Sequence, residues 1–234
     1  MQITIIIPCY NEEKTLDVLI NRILDQKEFK KKIIIVDDYS TDESISIIKD
    51  NLLNKKIDQA IFHKENMGKG ACIKSAQQFV EGDYVIIQDA DLEYDPSDYK
   101  YLINKIIKEN LKVVYGSRVL NEKNNKKIQN FSHKIRIYGN YFLTKISNII
   151  NKQNLTDAHT CYKMFETKLF KSIKLIENDF SFCPEITTKI SLLNLDIKEV
   201  SINYDGRTYD QGKKIVALDG LAAIWTLIKY RYIK

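Results

Sequence analysis

The segment 85-VIIQDADLEYDP-96 places a short apolar run directly before a cluster of carboxylates. The first three residues are typical of a strand that is buried on both faces by helices. In an extended chain Asp89 and Asp91 point to the same side and lie roughly 6–7 Å apart. At an effective dielectric of about 20 their charges repel by roughly 2.5 kcal/mol, and a divalent cation would reverse that sign.

Part of the same stretch has an ordinary structural explanation. Asp95 suits a helix N-cap, Pro96 the first helical position and Asp98 the first turn, so we assign these three to local structure. This segment alone is compatible with two interpretations of Asp89 and Asp91, as metal ligands or as turn residues.

Strand and helix patterns alternate along the first half of the chain. Strands are predicted at 3–7, 32–36, 59–62, 83–87 and 112–116, with helical patterns between them. This alternation predicts an α/β fold with a mostly parallel, Rossmann-like central sheet flanked by helices. Ligands of such sheets bind at the carboxyl ends of the strands, which is where the acidic cluster falls.

The second half has a more mixed pattern without an internal repeat or a clear domain boundary. It predicts a helix near 131–150, a strand at 161–165, a helix after Pro184, a strand at 197–204 and a final helix. The polar segment 119–130 predicts a mobile loop, either a solvated linker or a lid over a substrate. We therefore expect a single domain over residues 1–234.

Composition restricts the class of protein. The 234 residues are 44% hydrophobic and 29% charged, and the net charge of +5 does not by itself indicate a nucleic-acid partner. Four scattered cysteines lack the spacing of a zinc site and fit reduced thiols in the cytosol. Neither a signal peptide nor an apolar run of about 18 residues is present, so we expect a cytoplasmic protein, free or peripheral on the membrane's cytoplasmic face.

The glycine pattern excludes two common nucleotide-binding classes. The segment PCYNEE after the first strand lacks the glycines of a dinucleotide-binding turn, and no P-loop motif occurs. The GKG at 68–70 predicts a tight turn that opens a helix, with phosphate contact as the alternative. The segment VDDYSTD at 36–42 has two possible interpretations. Its polar residues could cap the next helix, or an aspartate could accept hydrogen bonds from a base or a ribose.

Four motifs of the first half resemble, in order and spacing, the family-2 glycosyltransferases of the GT-A fold. They are IPCYNEE (7–13), VDDYSTD (36–42), ENMGKGA (65–71) and DADLEYDP (89–96). Four segments of the second half resemble the polyprenyl-phosphate hexosyltransferases, the dolichyl-phosphate mannose and glucose synthases. These are GSR (116–118), DAHTCYKMF (157–165), FCPEI (182–186) and GRTYDQGKKI (206–215).

This resemblance implies a nucleotide-sugar-binding half, 1–118, and an acceptor-side half, 119–234. It implies donor contacts from Pro8, Tyr10, Glu12, Val36, Asp38, Asp89, Ala90 and Arg118. It implies a Mg²⁺ or Mn²⁺ ion held by Asp91 and Glu93 beside Asp89, and phosphate contacts from Arg118, Arg207 and Lys213. Two positions depart from the family. Glu93 stands where the family often has Gln, and it adds negative charge near the metal. Gly212 stands where many members have Ser, and the neighbouring lysine is intact.

The implied chemistry is consistent with the residue types. Negative charge grows on the diphosphate as the glycosidic bond breaks, and a hard cation with guanidinium and ammonium groups stabilises that charge. A phosphate acceptor, with a second pKa of about 6, needs no strong base. Asp157 is the candidate base for a hydroxyl acceptor, but it could equally orient the sugar or cap a helix. We expect His159 to make local hydrogen bonds, and the role of Glu185 stays undefined.

We therefore expect a metal-dependent inverting glycosyltransferase that moves a hexose from GDP- or UDP-hexose to a polyprenyl phosphate at a membrane surface. The alternatives are transfer to a saccharide hydroxyl and a catalytically silent sugar-nucleotide-binding protein. The intact set Asp89, Asp91, Arg207 and Lys213 argues against the silent protein. The segment LAAIWTLIKYRYIK (221–234) fits either a membrane interface or a helix packed on the sheet.

Overall fold

The computed structural model describes residues 1–120, 131–206 and 217–233, with the backbone alone for 131–137 and 217–219. Within these residues one sheet contains seven strands in the order β3-β2-β1-β4-β6-β5-β7. The strands are β1 (Gln2–Cys9), β2 (Lys30–Asp37), β3 (Gln59–Phe62), β4 (Tyr84–Ile87), β5 (Val113–Ser117), β6 (Lys163–Glu166) and β7 (Lys198–Ser201). Strand β6 is antiparallel to both neighbours and every other pair is parallel, which confirms the mostly parallel α/β sheet.

Helices cover both faces of this sheet. They are α1 (Leu16–Asp25), α2 (Ser44–Leu53), α3 (Lys69–Gln77), α4 (Tyr99–Lys108), α5 (Phe131–Asn151), α6 (Thr167–Ser172), α7 (Phe182–Leu192) and α8 (Ala217–Ile228), followed by a π-helical segment, Lys229–Ile233. Strand β1 shows why its isoleucine run is unbroken. Ile5 enters the core that contains α1 and α4, whereas Ile6 enters the opposite core, which contains α3 and α7.

Most of the predicted elements are confirmed, and the differences have local causes. The N-cap assignment of Asp95 is correct, since its Oδ1 accepts the Ser97 N–H at 2.8 Å at the start of a short 3₁₀-helix, Pro96–Asp98, which leads into α4. The helix predicted after Pro184 begins earlier, at Phe182, because proline is tolerated in a first turn, where its missing N–H is not needed. Helix α6 was not predicted. Most of the polar segment 119–130 lies outside the described residues.

The direction of β6 determines which residues meet at the sheet edge. Strands β1, β2, β4, β5 and β7 all end at one edge, and β6 begins there because it runs the opposite way. The segment 157–162, which precedes β6, therefore joins the loops that follow the parallel strands. Among the described residues, no helix is long and apolar enough to cross a bilayer.

Candidate active site

The loops after β1 and β2 are joined to each other at this edge. Asn11, which has a φ of +55°, donates its N–H to Ser40 Oγ at 2.9 Å and accepts the Thr41 N–H at 2.8 Å. Glu12 donates its N–H to Ser44 Oγ at 2.8 Å. The two loops therefore form one unit that holds the predicted donor residues after β1.

The predicted donor residues of β1 and β2 differ in what they can offer to a ligand. Pro8 and Val36 lie opposite each other in the register of the two strands. Val36 is completely buried, so neither its side chain nor its backbone is exposed to solvent. Tyr10 and Glu12 follow β1 directly at the sheet edge.

Asp38 organises the loop that leads to α3. Its Oδ1 accepts the Met67 N–H at 2.9 Å and lies 2.7 Å from His63 Nδ1, while Oδ2 accepts the Gly68 N–H at 2.7 Å. His63 Nε2 is 2.9 Å from Ser75 Oγ. Both carboxylate oxygens of Asp38 therefore have protein partners, and the residue fixes the loop around 63–68.

The acidic motif does not continue β4 as an extended chain, so that prediction was wrong. The strand ends at Ile87, and Leu92 has a φ of +62°. The Glu93 N–H donates to Asp91 Oδ1 at 3.0 Å, which is the local bond by which an Asp side chain stabilises a turn. Asp91 and Glu93 consequently belong to one tight turn, which we call the acidic turn (residues 91–93).

Lys69 compensates the charge of Asp89. Its ammonium group forms an ion pair with the Asp89 carboxylate and lies 2.9 Å from Cys161 Sγ. Burial would raise the pKa of Asp89, but the nearby Lys69 charge lowers it. The repulsion expected between Asp89 and Asp91 is thus relieved by Lys69, a role that neither the predicted turn nor the alternative phosphate contact included.

The predicted turn at GKG is confirmed. Gly68 has a φ of +94° and immediately precedes α3. A Cβ at this glycine would lie 2.6 Å from the carbonyl oxygen of Asn178, so a side chain cannot be accommodated there. The turn therefore places Lys69 at the sheet edge. The sequence feature that could have indicated its pairing with Asp89 is a basic residue between two glycines.

Arg118 and Asp157 form a buried, bidentate ion pair at this edge of the sheet. Arg118 donates from Nε to Asp157 Oδ2 at 2.6 Å and from Nη2 to Oδ1 at 2.8 Å, and Asn140 Nδ2 also donates to Oδ1 at 3.0 Å. Burial would raise the pKa of Asp157, but Arg118 outweighs it and lowers this pKa to about 2. Asp157 therefore stays ionised and holds the guanidinium in place.

Tyr204 connects the acidic turn with this ion pair. Its hydroxyl donates to Glu93 Oε2 at 2.6 Å, and the Arg118 guanidinium lies 5.1 Å from its ring centroid. The ring also packs against Tyr94, with 5.2 Å between centroids. Because 111 residues separate Tyr204 from Glu93, no local sequence pattern could have indicated this contact.

Four further candidates have other outcomes. Arg207 and Lys213 lie outside the described residues. Glu185 is buried and accepts the N–H groups of Ile176 and Glu177, which is a structural role. Burial, with a smaller contribution from Lys163, lowers the pKa of His159 to about 4, so this imidazole is neutral at pH 7.

The acidic turn has the chemistry of a Mg²⁺ or Mn²⁺ site. It supplies two carboxylates, and such ions are commonly held by one or two carboxylates together with water and substrate phosphates. In the described part of the chain, three potential ligands converge within 4.8 Å of one another at Asp38, His63 and Cys72. That group is unsuited to an ion, because Asp38 and His63 are already hydrogen-bonded and burial, the main cause, raises the pKa of the Cys72 thiol.

A mostly parallel sheet with carboxylates and an arginine at its carboxyl edge matches the GT-A glycosyltransferases. The chain belongs to glycosyl transferase family 2, whose sequence profile matches residues 4–174. Mycobacterium tuberculosis glucosyl-3-phosphoglycerate synthase has a similar fold, with a TM-score of 0.73 at 16% identity, over 100% of this chain and 82% of that one. The same enzyme with Mn²⁺, UDP-glucose and phosphoglyceric acid gives a TM-score of 0.68 at 14% identity, covering 98% of this chain and 79% of that one.

Two relatives by sequence are named for transfer to dolichyl phosphate. The UDP-N-acetylglucosamine–dolichyl-phosphate N-acetylglucosaminyltransferase of Methanococcus voltae is 29% identical over 97% of this chain and 94% of its own length. A dolichyl-phosphate beta-glucosyltransferase of Trichomonas vaginalis is 27% identical over 87% of this chain. That alignment spans only 65% of the Trichomonas protein.

Proposed function

We propose that this glycosyltransferase moves a hexose from UDP- or GDP-hexose to a polyprenyl phosphate, with inversion and with the aid of Mg²⁺ or Mn²⁺. The observation that carries the choice of acceptor is the state of Asp157. Both of its oxygens are bound by Arg118 and its pKa is about 2, so it is poorly suited to take a proton from a hydroxyl. A phosphate monoester is already largely ionised at neutral pH and needs no such base.

We propose that the sugar nucleotide binds at the carboxyl ends of the parallel strands, between the segments 1–118 and 119–234. Asp91 and Glu93, which belong to one turn, would hold the metal ion, and the ion would neutralise charge on the diphosphate. Arg118 lies beside them and would contact the phosphates, together with Arg207 and Lys213. The presence of Mn²⁺ or Mg²⁺ with UDP in the M. tuberculosis structures supports this donor class.

The reaction is an in-line displacement at the anomeric carbon. A phosphate oxygen of the acceptor forms the new bond to this carbon while the bond to the donor diphosphate breaks. The electron pair leaves with the nucleoside diphosphate, and attack from the opposite side inverts the anomeric configuration. Arg118 and the basic residues assigned to the phosphates would stabilise the departing charge, which is the main electrostatic demand of the step.

An exposed apolar stripe on α5 supports a lipid acceptor. Side chains spaced three, four and seven residues apart share one face of a helix. On α5 this face is exposed and carries Tyr138 (71% exposed), Tyr141, Phe142 and Ile149. Lys145 lies on the same face, with its Nζ 4.7 Å from the Tyr141 ring centroid. A stripe of this kind normally faces a protein core, so it indicates a partner surface.

Helix α8 packs against α5 and carries similar side chains. Leu221 and Trp225, one helical turn apart, are 66% and 58% exposed. The segment that follows adds Arg231 and the exposed Tyr232. Aromatic and basic side chains together are typical of a membrane–water interface, where a polyprenyl phosphate presents its headgroup.

The test has two stages with the full chain. A thermal-shift panel of UDP- and GDP-hexoses with Mn²⁺ identifies the donor, since a ligand at about 100 times its Kd adds roughly 2.7 kcal/mol of stability. Labelled transfer from that donor is then measured to a polyprenyl phosphate and to free saccharides. We expect a lipid-extractable product; efficient transfer to saccharides with none to the lipid would establish the alternative acceptor.

A further inference from the structure

We propose that Tyr204 is a positioning residue that fixes the metal-binding carboxylate of Glu93 relative to Arg118. This inference rests on the proposed function, because it takes Glu93 as a metal ligand and Arg118 as a phosphate contact. Tyr204 touches both side chains: its hydroxyl is 2.6 Å from Glu93 Oε2, and its ring faces the Arg118 guanidinium.

The backbone around Tyr204 holds the ring at a defined place. Tyr204 forms an isolated antiparallel bridge with Tyr94, and the Asp205 N–H donates to the Glu93 carbonyl oxygen at 3.0 Å. The ring of Tyr94, tilted by 59° relative to that of Tyr204, supports it from one side. The hydroxyl therefore meets Glu93 from a fixed support.

This support matters because a glutamate has three rotatable side-chain bonds and reaches many orientations. A hydrogen bond to one oxygen of a ligating carboxylate restricts those orientations, and the loss of such a partner typically weakens metal binding by about 10–100-fold. Burial, the largest cause, raises the pKa of Tyr204. The phenol consequently remains a hydrogen-bond donor throughout the neutral pH range.

The contact also explains how the chain accommodates Glu93 where the resemblance leads one to expect Gln. A glutamate adds a negative charge that an amide lacks, and the Tyr204 hydroxyl donates directly to that carboxylate. The ring of the same tyrosine contacts the Arg118 guanidinium through a cation–π interaction. The Tyr204 side chain thus sets the distance between the negative charge of Glu93 and the positive charge of Arg118.

The experiment measures Mn²⁺ affinity without catalysis. Free Mn²⁺ is quantified by its EPR signal during titration of the full chain in the presence of UDP. Tyr204→Phe keeps the ring and removes the hydroxyl, and we expect an apparent Kd for Mn²⁺ about 10–100-fold higher than in the wild type. Tyr101→Phe, which alters an exposed tyrosine on α4, is the matched control and should leave the Kd unchanged.

A double-mutant cycle with Glu93→Gln separates positioning from a general structural effect. If Tyr204 acts through the carboxylate, Tyr204→Phe should change the Kd of the Glu93→Gln variant by less than about 3-fold. An unchanged Kd in Tyr204→Phe alone, or an equal loss in both backgrounds, would overturn the inference. If the wild type binds no Mn²⁺ with UDP, and none when GDP replaces it, the proposed metal site itself fails, which is a distinct result.

Discussion

Asp38 and Asp157 are buried carboxylates at the same edge of the sheet, and they are stabilised in different ways. Asp38 accepts two backbone N–H groups and contacts His63, all from the neighbouring segment 63–68. Asp157 is held mainly by the charge of Arg118, which follows another strand. Asp38 is therefore held by donors from one short segment, whereas Asp157 depends mainly on its ion pair with Arg118.

This difference has a functional meaning. Backbone amides cannot leave Asp38 without moving the chain, so the donor-side loop is a fixed support. An arginine side chain can shift its contacts when an anion arrives, so Arg118 can serve both Asp157 and a phosphate. The acidic turn lies between the two arrangements, and variants in each region should therefore fail in different ways.

The largest expected effect comes from the acidic turn itself. Asp91→Asn removes a charge assigned to the metal while leaving the turn hydrogen bond possible. We expect transfer to fall by at least about 10³-fold, which corresponds to roughly 4 kcal/mol of transition-state stabilisation. The thermal midpoint should stay close to that of the wild type, because Asp91 itself belongs to neither hydrophobic core.

Asp95→Asn is the matched control for that variant. It changes a carboxylate of the same loop, but asparagine caps a helix as well as aspartate does. Its activity and stability should both remain near wild type. Near-normal transfer by Asp91→Asn would remove this residue from the metal site.

The next largest effect concerns the ion pair of the acceptor half. Asp157→Asn leaves the Arg118 cation without its carboxylate, and breaking a buried pair costs about 3–5 kcal/mol of unfolding free energy. Urea denaturation measures this loss. A double variant with Arg118→Gln should recover part of it, since no uncompensated charge remains; a double variant as unstable as the sum of both single changes would contradict the pairing.

The same pair predicts a dependence of stability on pH. The folded-state pKa of Asp157 is about 2, below its usual 3.8, so its stabilising contribution is present above about pH 4. That contribution, on the order of 2 kcal/mol for a shift of this size, is lost as the pH falls toward 2. The stability difference between wild type and Asp157→Asn should therefore be constant from pH 7 to 5 and shrink below pH 4.

The sequence predicted the parts of this molecule whose causes are local. The isoleucine run of β1 and the Asp95 cap depend on nearby residues, and both are confirmed. The Arg118–Asp157 pair joins residues 39 positions apart and depends on the reversed direction of β6, which periodicity does not reveal. The geometry of the acidic motif was missed because an extended chain was assumed where Leu92 adopts a positive φ.

A smaller effect is expected from the donor-side carboxylate. Asp38→Asn keeps the shape of the side chain but turns one acceptor oxygen into an amide donor, so one partner of Asp38 loses its acceptor. An unsatisfied buried group of this kind costs about 1–3 kcal/mol, less than an uncompensated charge. Urea denaturation under the same conditions provides the comparison. A loss larger than that of Asp157→Asn would show that the backbone bonds, and not the ion pair, dominate the edge.

The smallest effect expected is on the pH dependence of transfer, and it tests the acceptor chemistry directly. If a lipid phosphate is the nucleophile, activity should rise through its second ionisation, at about pH 6. Neither Asp157, with a pKa of about 2, nor His159, with a pKa of about 4, titrates in that range. His159→Gln and Asp157→Asn should therefore keep the same acidic limb, shifted by less than about 0.3 pH units, even where the rate falls. A limb that disappears in Asp157→Asn would identify this residue as the titrating base, and the acceptor would then have to be a hydroxyl whose proton Asp157 removes.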